Sequence, residues 1–265
     1  LGLDEPAASR FFAWAGGALR GDFGMSADGQ RSIAEVVALR ARNSAVLAAA
    51  AAVIGIPLAI LLGVVTALWR DRPIDIGLSA IAIFAMTIPE FVSATLLILV
   101  FSVWLGWLPG VVIVSADVPV GELLRQIVLP VVTASMVLTA HILRMVRTSV
   151  IEVLASDHVQ MARLKGVPYW RMVFRHVLPS ALLPAINVIA LTLAWLLGGL
   201  VVIEVVFNYP GLGRLMIESI SHRNLPVVQA IALILGLVYV GVNLAADVLT
   251  ILANPRLRTL HSRRR

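Results

Sequence analysis

The chain has 265 residues, of which 60 % are hydrophobic and only 14 % charged, and its mean hydropathy is +0.95. A soluble domain carries roughly 25 % charged residues, so a polar exterior all round is excluded and most of the surface must face lipid. The formal charge of +6 matches an excess of Arg and Lys on the loops of one membrane face better than a nucleic-acid surface. The absence of cysteine rules out a disulfide framework and any thiolate metal site.

Residues 1–43 are mixed and polar, with five arginines offset by five acids. They begin at Leu1 and show no charged-then-apolar leader pattern, so further residues are expected upstream. Phe11, Phe12, Trp14 and Leu19 give this segment an apolar edge suited to a membrane surface. Five apolar stretches then follow, each long enough for a crossing of about 20 residues. They are Ser44–Trp69, Gly77–Leu105, Ile127–Val146, Ala181–Phe207 and Val227–Ala253. Lipid cannot hydrogen-bond a bare backbone, and the alternation of a membrane barrel is missing. The expected fold class is all-α, a polytopic transmembrane helix bundle.

The second stretch holds one acid, Glu90, where a charge costs at least about 2.5 kcal/mol. Two readings stand: a carboxylate facing a cavity on a transport route, or a helix cap. Thr87-Ile88-Pro89-Glu90 has capping-box spacing, and Pro89 would break the helix. Residues 106–126 carry Trp107, Pro109, Gly110, Pro119 and Gly121, an ordered loop near the interface. At the end of the third stretch, Arg144 and Arg147 are expected to snorkel to the membrane surface, and His141 to be packed or hydrogen-bonded.

Between the third and fourth stretches, Ser156 and Asp157 are N-cap residues for a short helix that Gly166 stops as a C′ glycine. Pro168 opens a second piece, expected to run from Tyr169 to Leu178 and end at Pro179. In the fourth stretch, Asn187 and Thr192 either line a polar path or bond neighbouring helices. Glu204 precedes Tyr209-Pro210-Gly211, which reads as a turn with Pro second and Gly third. Leu212, Leu215, Met216 and Ile220 then share one helical face, so a short helix folds back there.

Basic residues place the ends. Arg70 and Arg72, the run Arg147, Arg163, Lys165, Arg171 and Arg175, and the tail Arg256, Arg258, Arg263, Arg264 and Arg265 form three basic stretches. The positive-inside rule puts these in the cytoplasm. The expected division is an extracytoplasmic segment 1–43, a membrane domain 44–253 and a cytoplasmic tail 254–265. An outside start also implies a sixth span upstream of the five visible ones. No Gly-Lys-Ser/Thr phosphate loop, Gly-x-Ser-x-Gly elbow or metal-binding histidine pair is present, so no enzyme is expected. An ion-driven carrier would need charges in several spans and an internal repeat.

Eleven residues separate Gly166 from Leu178-Pro179, with Ala162 four residues before the glycine. This spacing resembles the signature loop of ABC importer permeases, an acid and two alanines ahead of a Gly and a later Leu-Pro. Gln160, Met161 and His176 depart from that pattern. The wording Ala162-Arg163-Leu164-Lys165-Gly166 and Phe174-Arg175-His176-Val177-Leu178 nevertheless resembles the dipeptide, oligopeptide and nickel branch, which often lacks the acid. Gly21-Asp22-Phe23-Gly24, Leu105-Gly106-Trp107-Leu108-Pro109, Glu204 through Gly213 and Asn254-Pro255-Arg256-Leu257-Arg258 agree with it.

The resemblance implies the first of two permease subunits in a bacterial cytoplasmic membrane. Its implied partners are a second permease subunit, two ATP-binding subunits or domains that hold ATP and Mg, and an external binding protein. Gln160, Met161, Ala162, Arg163, Leu164, Lys165, Gly166, Leu178 and Pro179 would form the ATPase-coupling loop. Within it, Met161, Ala162 and Leu164 are expected to supply the packed face, and Arg163 and Lys165 the polar one. Glu90, Asn187, Glu204, Tyr209, Pro210 and Gly211 are candidates for the path or gate. The implied cargo is a di- or oligopeptide; nickel, a metal chelate or an opine-like compound fits the same machinery.

Overall fold

A computed structural model describes residues 6–26 and 32–253. The described helices are α1 (Ala7–Ala18), α2 (Ile33–Leu68), α3 (Pro73–Thr87), α4 (Glu90–Leu97), α5 (Val120–Gln126), α6 (Val128–Leu154), α7 (Asp157–Leu164), α8 (Tyr169–Met172), α9 (Leu178–Val206), α10 (Leu212–Ser221) and α11 (Leu225–Ala253). Wider π-helical turns extend α4 over Ile98–Trp104 and join α8 to α9 over Val173–Val177. No strand occurs among the described residues, only an isolated bridge between Met25 and Ser32. The fold is an all-α polytopic bundle, as expected of a chain whose backbone must satisfy itself in lipid. The expected tail 254–265 lies outside the described residues.

Four helical stretches, Ile33–Leu68, Val128–Leu154, Tyr169–Leu196 and Leu225–Leu252, are long and apolar enough to cross a membrane. The stretch Gly77–Leu105 is broken at Pro89, as its sequence indicates. It is two helical pieces, Pro73–Thr87 and Glu90–Trp104, set at 108°. Pro89 explains the break. It has no N–H for the ladder, and its ring pushes the preceding residue out of the helical region; Ile88 and Pro89 are both extended, at ψ 128° and 142°.

The first spanning helix begins at Ile33 rather than Ser44. Its added turns are amphipathic, with Ile33 and Val37 buried against Leu212 and Leu215 of α10 and Val227, Ala230 and Ile231 of α11. The helix entering the fourth span does not stop at Pro179 either. The π-turn Val173–Val177 relaxes the backbone register one turn ahead of Pro179, which sits in the first turn of α9, and the chain climbs on without a stop.

Helix α6 is the axis of the bundle, enclosed by α2, α3, α4 and α9. Its contact with α2 runs along a stripe repeating every four residues: Leu47, Ala51, Gly55, Ala59, Gly63 and Ala67, all buried. Lipid supplies no hydrophobic force between helices, so small side chains and close backbones must hold the contact. A Cβ built on Gly63 would lie 2.8 Å from the Leu143 carbonyl oxygen and 2.8 Å from Val146 Cβ; one on Gly55 would lie 2.9 Å from Leu138 Cδ2. Ser135 and Thr139 of α6 donate to the Ala51 and Gly55 carbonyls, each at 3.2 Å.

Gly63→Ala should therefore destabilise the bundle by about 1–3 kcal/mol through overpacking. Gly77→Ala, whose Cβ meets nothing within 4 Å, should be neutral or stabilising by up to about 1 kcal/mol. Thermal unfolding of the purified protein in detergent reads both signs.

Candidate functional site

The bundle carries a different device at each end of α9, a helix about 43 Å long at ~1.5 Å per residue. At its start sits α7, a rod of eight residues. Ser156 occupies the N-cap position as expected, but its hydroxyl lies 2.5 Å from the Val153 carbonyl and 3.0 Å from His158 Nδ1 rather than capping the helix. The other end closes as the sequence indicates. Gly166 has φ +74°, the Gly166 N–H donates to Arg163 O at 3.0 Å, and the Val167 N–H donates to Ala162 O at 3.2 Å. These two bonds make a Schellman motif, which fixes the rod's length and exit direction.

The faces of this rod differ from the expectation. Val159 and Ala162, 1 % and 9 % exposed, pack on the protein's own bundle, whereas Met161 and Leu164 stand 55 % and 83 % exposed. Ala162 thus seats the rod, and the outward face joins Gln160, Met161, Arg163, Leu164 and Lys165. Pro168 is the N-cap of α8, one residue earlier than expected. Leu178 is half-buried on the core and Pro179 is exposed.

At the far end of α9, Glu204, Tyr209, Pro210 and Gly211 meet in one buried knot with Asn43 and Ser44 of α2. Glu204 is 1 % exposed. Its carboxylate accepts from Ser44 Oγ at 2.5 Å and from the Gly213 and Arg214 N–H groups at 2.7 and 3.1 Å. Those N–H groups belong to the first turn of α10, so Glu204 caps α10 from another helix. Ser44 Oγ also accepts from the Leu212 N–H at 2.8 Å. Tyr209 donates its hydroxyl to Asn43 O at 2.6 Å, and Asn43 Nδ2 reaches Pro210 O and Ala116 O at 2.9 and 3.0 Å.

The expected Tyr-Pro-Gly turn is tighter than a β-turn, with the Gly211 N–H donating to Tyr209 O at 2.8 Å. Leu212 N–H goes to Ser44 instead, and the left-handed residue is Asn208, at φ 55°. Gly211 is extended, and what it supplies is room: a Cβ there would lie 2.2 Å from the Glu204 carboxylate. On the folded-back helix, Leu212 and Leu215 are buried as expected, while Ile220 is 51 % exposed.

Glu90 stands apart from both ends. Thr87 Oγ1 donates back to Ile83 O at 2.8 Å and no side chain caps α4, so the capping box is not formed. Glu90 Oε1 is buried without a hydrogen-bond partner. It lines a cavity of about 510 Å³ that also takes in Pro89, Phe91, His141 and Trp195. Asn187 is not among these residues. It lies 2.5 Å from Thr250 Oγ1 and ties α9 to α11, while Thr192 donates to Val188 O of its own helix.

One pair escaped the sequence reading. Arg147, expected to snorkel, makes a two-point bridge to Asp75, with Nε–Oδ1 at 2.7 Å and an NH2–Oδ2 hydrogen bond at 2.8 Å. Asp75 is 2 % exposed and also accepts from the Asp71 N–H at 2.9 Å and Ser79 Oγ at 3.2 Å. Asp75 lies just ahead of the second stretch and Arg147 just past the third, so the only sequence signal was an acid beside Arg70 and Arg72. Arg144 remains exposed, as expected.

Breaking a buried pair by removing one partner costs about 3–5 kcal/mol. Asp75→Asn should lower thermal stability on that scale, and Asp75→Asn with Arg147→Gln should recover part of it. Gly211→Ala should displace the Glu204 carboxylate and forfeit about 1.5–3 kcal/mol per charged hydrogen bond lost. Faster amide exchange at Gly213 and Arg214, with α6 unaffected, is the expected readout.

Residues 55–259 match the family described as the binding-protein-dependent transport system inner membrane component. The chain is 37 % identical over 258 residues to the glutathione transport system permease protein GsiC of Escherichia coli strain K12, covering 97 % of this chain and 82 % of that protein. The GsiC proteins of Shigella dysenteriae serotype 1 and Shigella flexneri serotype 5b match over the same shares at 37 % and 36 %. A match over most of the chain, on a bundle that ends in a capped, outward-facing rod, leaves one assignment: the chain belongs to the inner membrane components of binding-protein-dependent transport, as a permease subunit of an ABC importer and not an enzyme.

Proposed function

We propose that this subunit imports small peptide-like cargo and is driven through α7 by a separate ATP-hydrolysing partner. The observation that carries the reading is the division of α7 into two faces. Val159 and Ala162 are buried on the bundle while Gln160, Met161, Arg163, Leu164 and Lys165 are exposed. A rod closed by a Schellman motif moves as one piece, so a push on its outer face passes to the start of α9 and the end of α6. Exposed Met161 and Leu164 supply apolar contact and Arg163 and Lys165 supply charge, a combination suited to a docking groove.

The concentration of Arg144, Arg163, Lys165, Arg171 and Arg175 at this end supports a cytoplasmic position for it. The knot around Glu204 then lies at the external end, where α10 serves as part of the outer gate and meets a cargo-loaded binding protein. ATP and Mg belong to the partner subunits, and a second permease subunit completes the pathway. Glu90 lies on the route between the two ends; Asn187 holds α9 to α11. Kinship with glutathione permeases supports a peptide-like cargo.

The chain contains no native cysteine, so a single introduced one reports without background. Leu164→Cys should form a disulfide with a cysteine in the groove of the ATPase subunit, and Val159→Cys should not. Leu164→Asp should lower cargo-stimulated ATP hydrolysis at least about tenfold, the loss of an apolar anchor worth about 1.4 kcal/mol or more. Equal crosslinking from both positions would reject α7 as the lever. Mass spectrometry of ligand retained by the companion binding protein tests the cargo, with nickel or an opine as the result that would displace peptides.

A further inference from the structure

The cavity beside the α3–α4 break is built from three helices at mid-height of the bundle. Glu90 comes from the break, His141 from the middle of α6 and Trp195 from the second half of α9. Its volume of about 510 Å³ falls within the roughly 300–1,000 Å³ usual for small-ligand sites. Ala85, Met86, Ile88, Phe91, Val137 and Val202 make most of the wall, so polar groups are few and their identity decides what can bind.

Each polar or aromatic group present suits the same partner. Glu90 is a carboxylate with Oε1 buried and no donor within reach. Neither the Thr87 hydroxyl nor an arginine answers it, since Thr87 donates to Ile83 O, Arg144 points to Met86 Sδ at 3.9 Å and Arg147 is held by Asp75. His141 Nδ1 lies 3.0 Å from the Val137 carbonyl; a carbonyl only accepts, so Nδ1 carries the proton. In the neutral ring, Nε2 is then an acceptor. Trp195 stands 5.6 Å from the His141 ring, centroid to centroid, and is 52 % exposed, leaving its face open to a cation. A buried acid without a donor, a ring nitrogen acceptor and an indole face together describe a site for a compact cation with several N–H donors.

We propose that Glu90, His141 and Trp195 form a transit subsite for a primary ammonium, the free amino terminus of a peptide cargo. The inference rests on the peptide-import reading and adds the cargo group that the permease itself recognises. An ammonium entering this cavity gives Glu90 the donor it lacks, so its charge is matched while the apolar walls take the rest of a small chain. The site sits between the knot at one end and α7 at the other, where cargo released by the gate must pass before the opposite end opens. With one carboxylate and one ring nitrogen among mostly apolar walls, a bound ammonium gains a single charged contact, which suits passage rather than storage.

The test uses the full reconstituted complex with its binding protein. ATP-driven uptake is measured for glutathione and alanyl-alanine and for their desamino analogues, glutaryl-cysteinylglycine and propionyl-alanine. Each cargo is supplied at a concentration that saturates the binding protein, and rates are normalised to assembled complex. Glu90→Gln should slow the two amine-bearing cargoes by about tenfold or more, the worth of one charge-assisted hydrogen bond. It should leave the two desamino cargoes at the wild-type rate, and Glu90→Asp should restore most of the amine-dependent uptake. Trp195→Leu should slow amine cargoes selectively by a smaller factor. A Glu90→Gln complex that slows all four cargoes equally assigns Glu90 to the architecture of the break and overturns the proposal, as does one that slows none. A wild-type complex that moves no peptide of either kind rejects the peptide reading itself, a separate result.

Discussion

The contact between α2 and α6 sets the geometry of the whole protein. In lipid, apolar side chains gain nothing by leaving their surroundings for one another, so helices are held by close packing and by bonds to backbone carbonyls. Gly55 and Gly63 let α2 approach until a single methyl group would clash, and Ser135 and Thr139 use that closeness to reach carbonyls on α2. With this pair fixed, α6 becomes the axis against which α3, α4 and α9 pack. Everything functional is then referred to one rigid core.

From that core the two ends diverge in character. The knot of Asn43, Ser44, Glu204 and Tyr209 is buried and bonded on every side, so α10 is tied to both α2 and α9 and must move with them. The α7 end is held by one buried face of two small apolar residues and leaves its other face open. The continuous helix from Tyr169 to Val206 runs from beside the exposed rod to the buried knot. The short link 165–168, closed at Gly166, joins the rod to that helix. The π-turn at Val173–Val177 follows α8, the piece that α7 packs against, and relaxes the backbone register there. Asp75 and Arg147 brace α3, the first half of the broken span, against α6 near the same end.

The break at Pro89 links the path of the chain to the cavity beside it. A straight span would present an unbroken apolar face, whereas a 108° bend opens space at the one acid in the stretch. Placing that acid at the bend avoids burying it in a packed interface, where a lone carboxylate is most costly. It also leaves the carboxylate facing a cavity instead of a neighbouring helix. The same residue that weakens the span thus shapes the space.

Much of this was legible in one dimension. Apolar run lengths mark where the membrane-spanning segments lie because a bilayer has a set thickness. Gly166 fixes the end of α7 because only a residue without Cβ enters the left-handed region freely, and Pro89 fixes a break because it lacks an N–H. Those are local constraints, written in single residues and their neighbours. What the tertiary structure alone decided are pairings between residues distant in the chain: Asp75 with Arg147, Ser44 with Glu204, Gly63 with Leu143, Glu90 with His141 and Trp195. The facing of α7 belongs with them, since a short helix with apolar residues on two sides can seat either one. No local rule sets these choices, because each depends on which helix lies alongside and at what rotation, and that is settled by packing of the whole bundle.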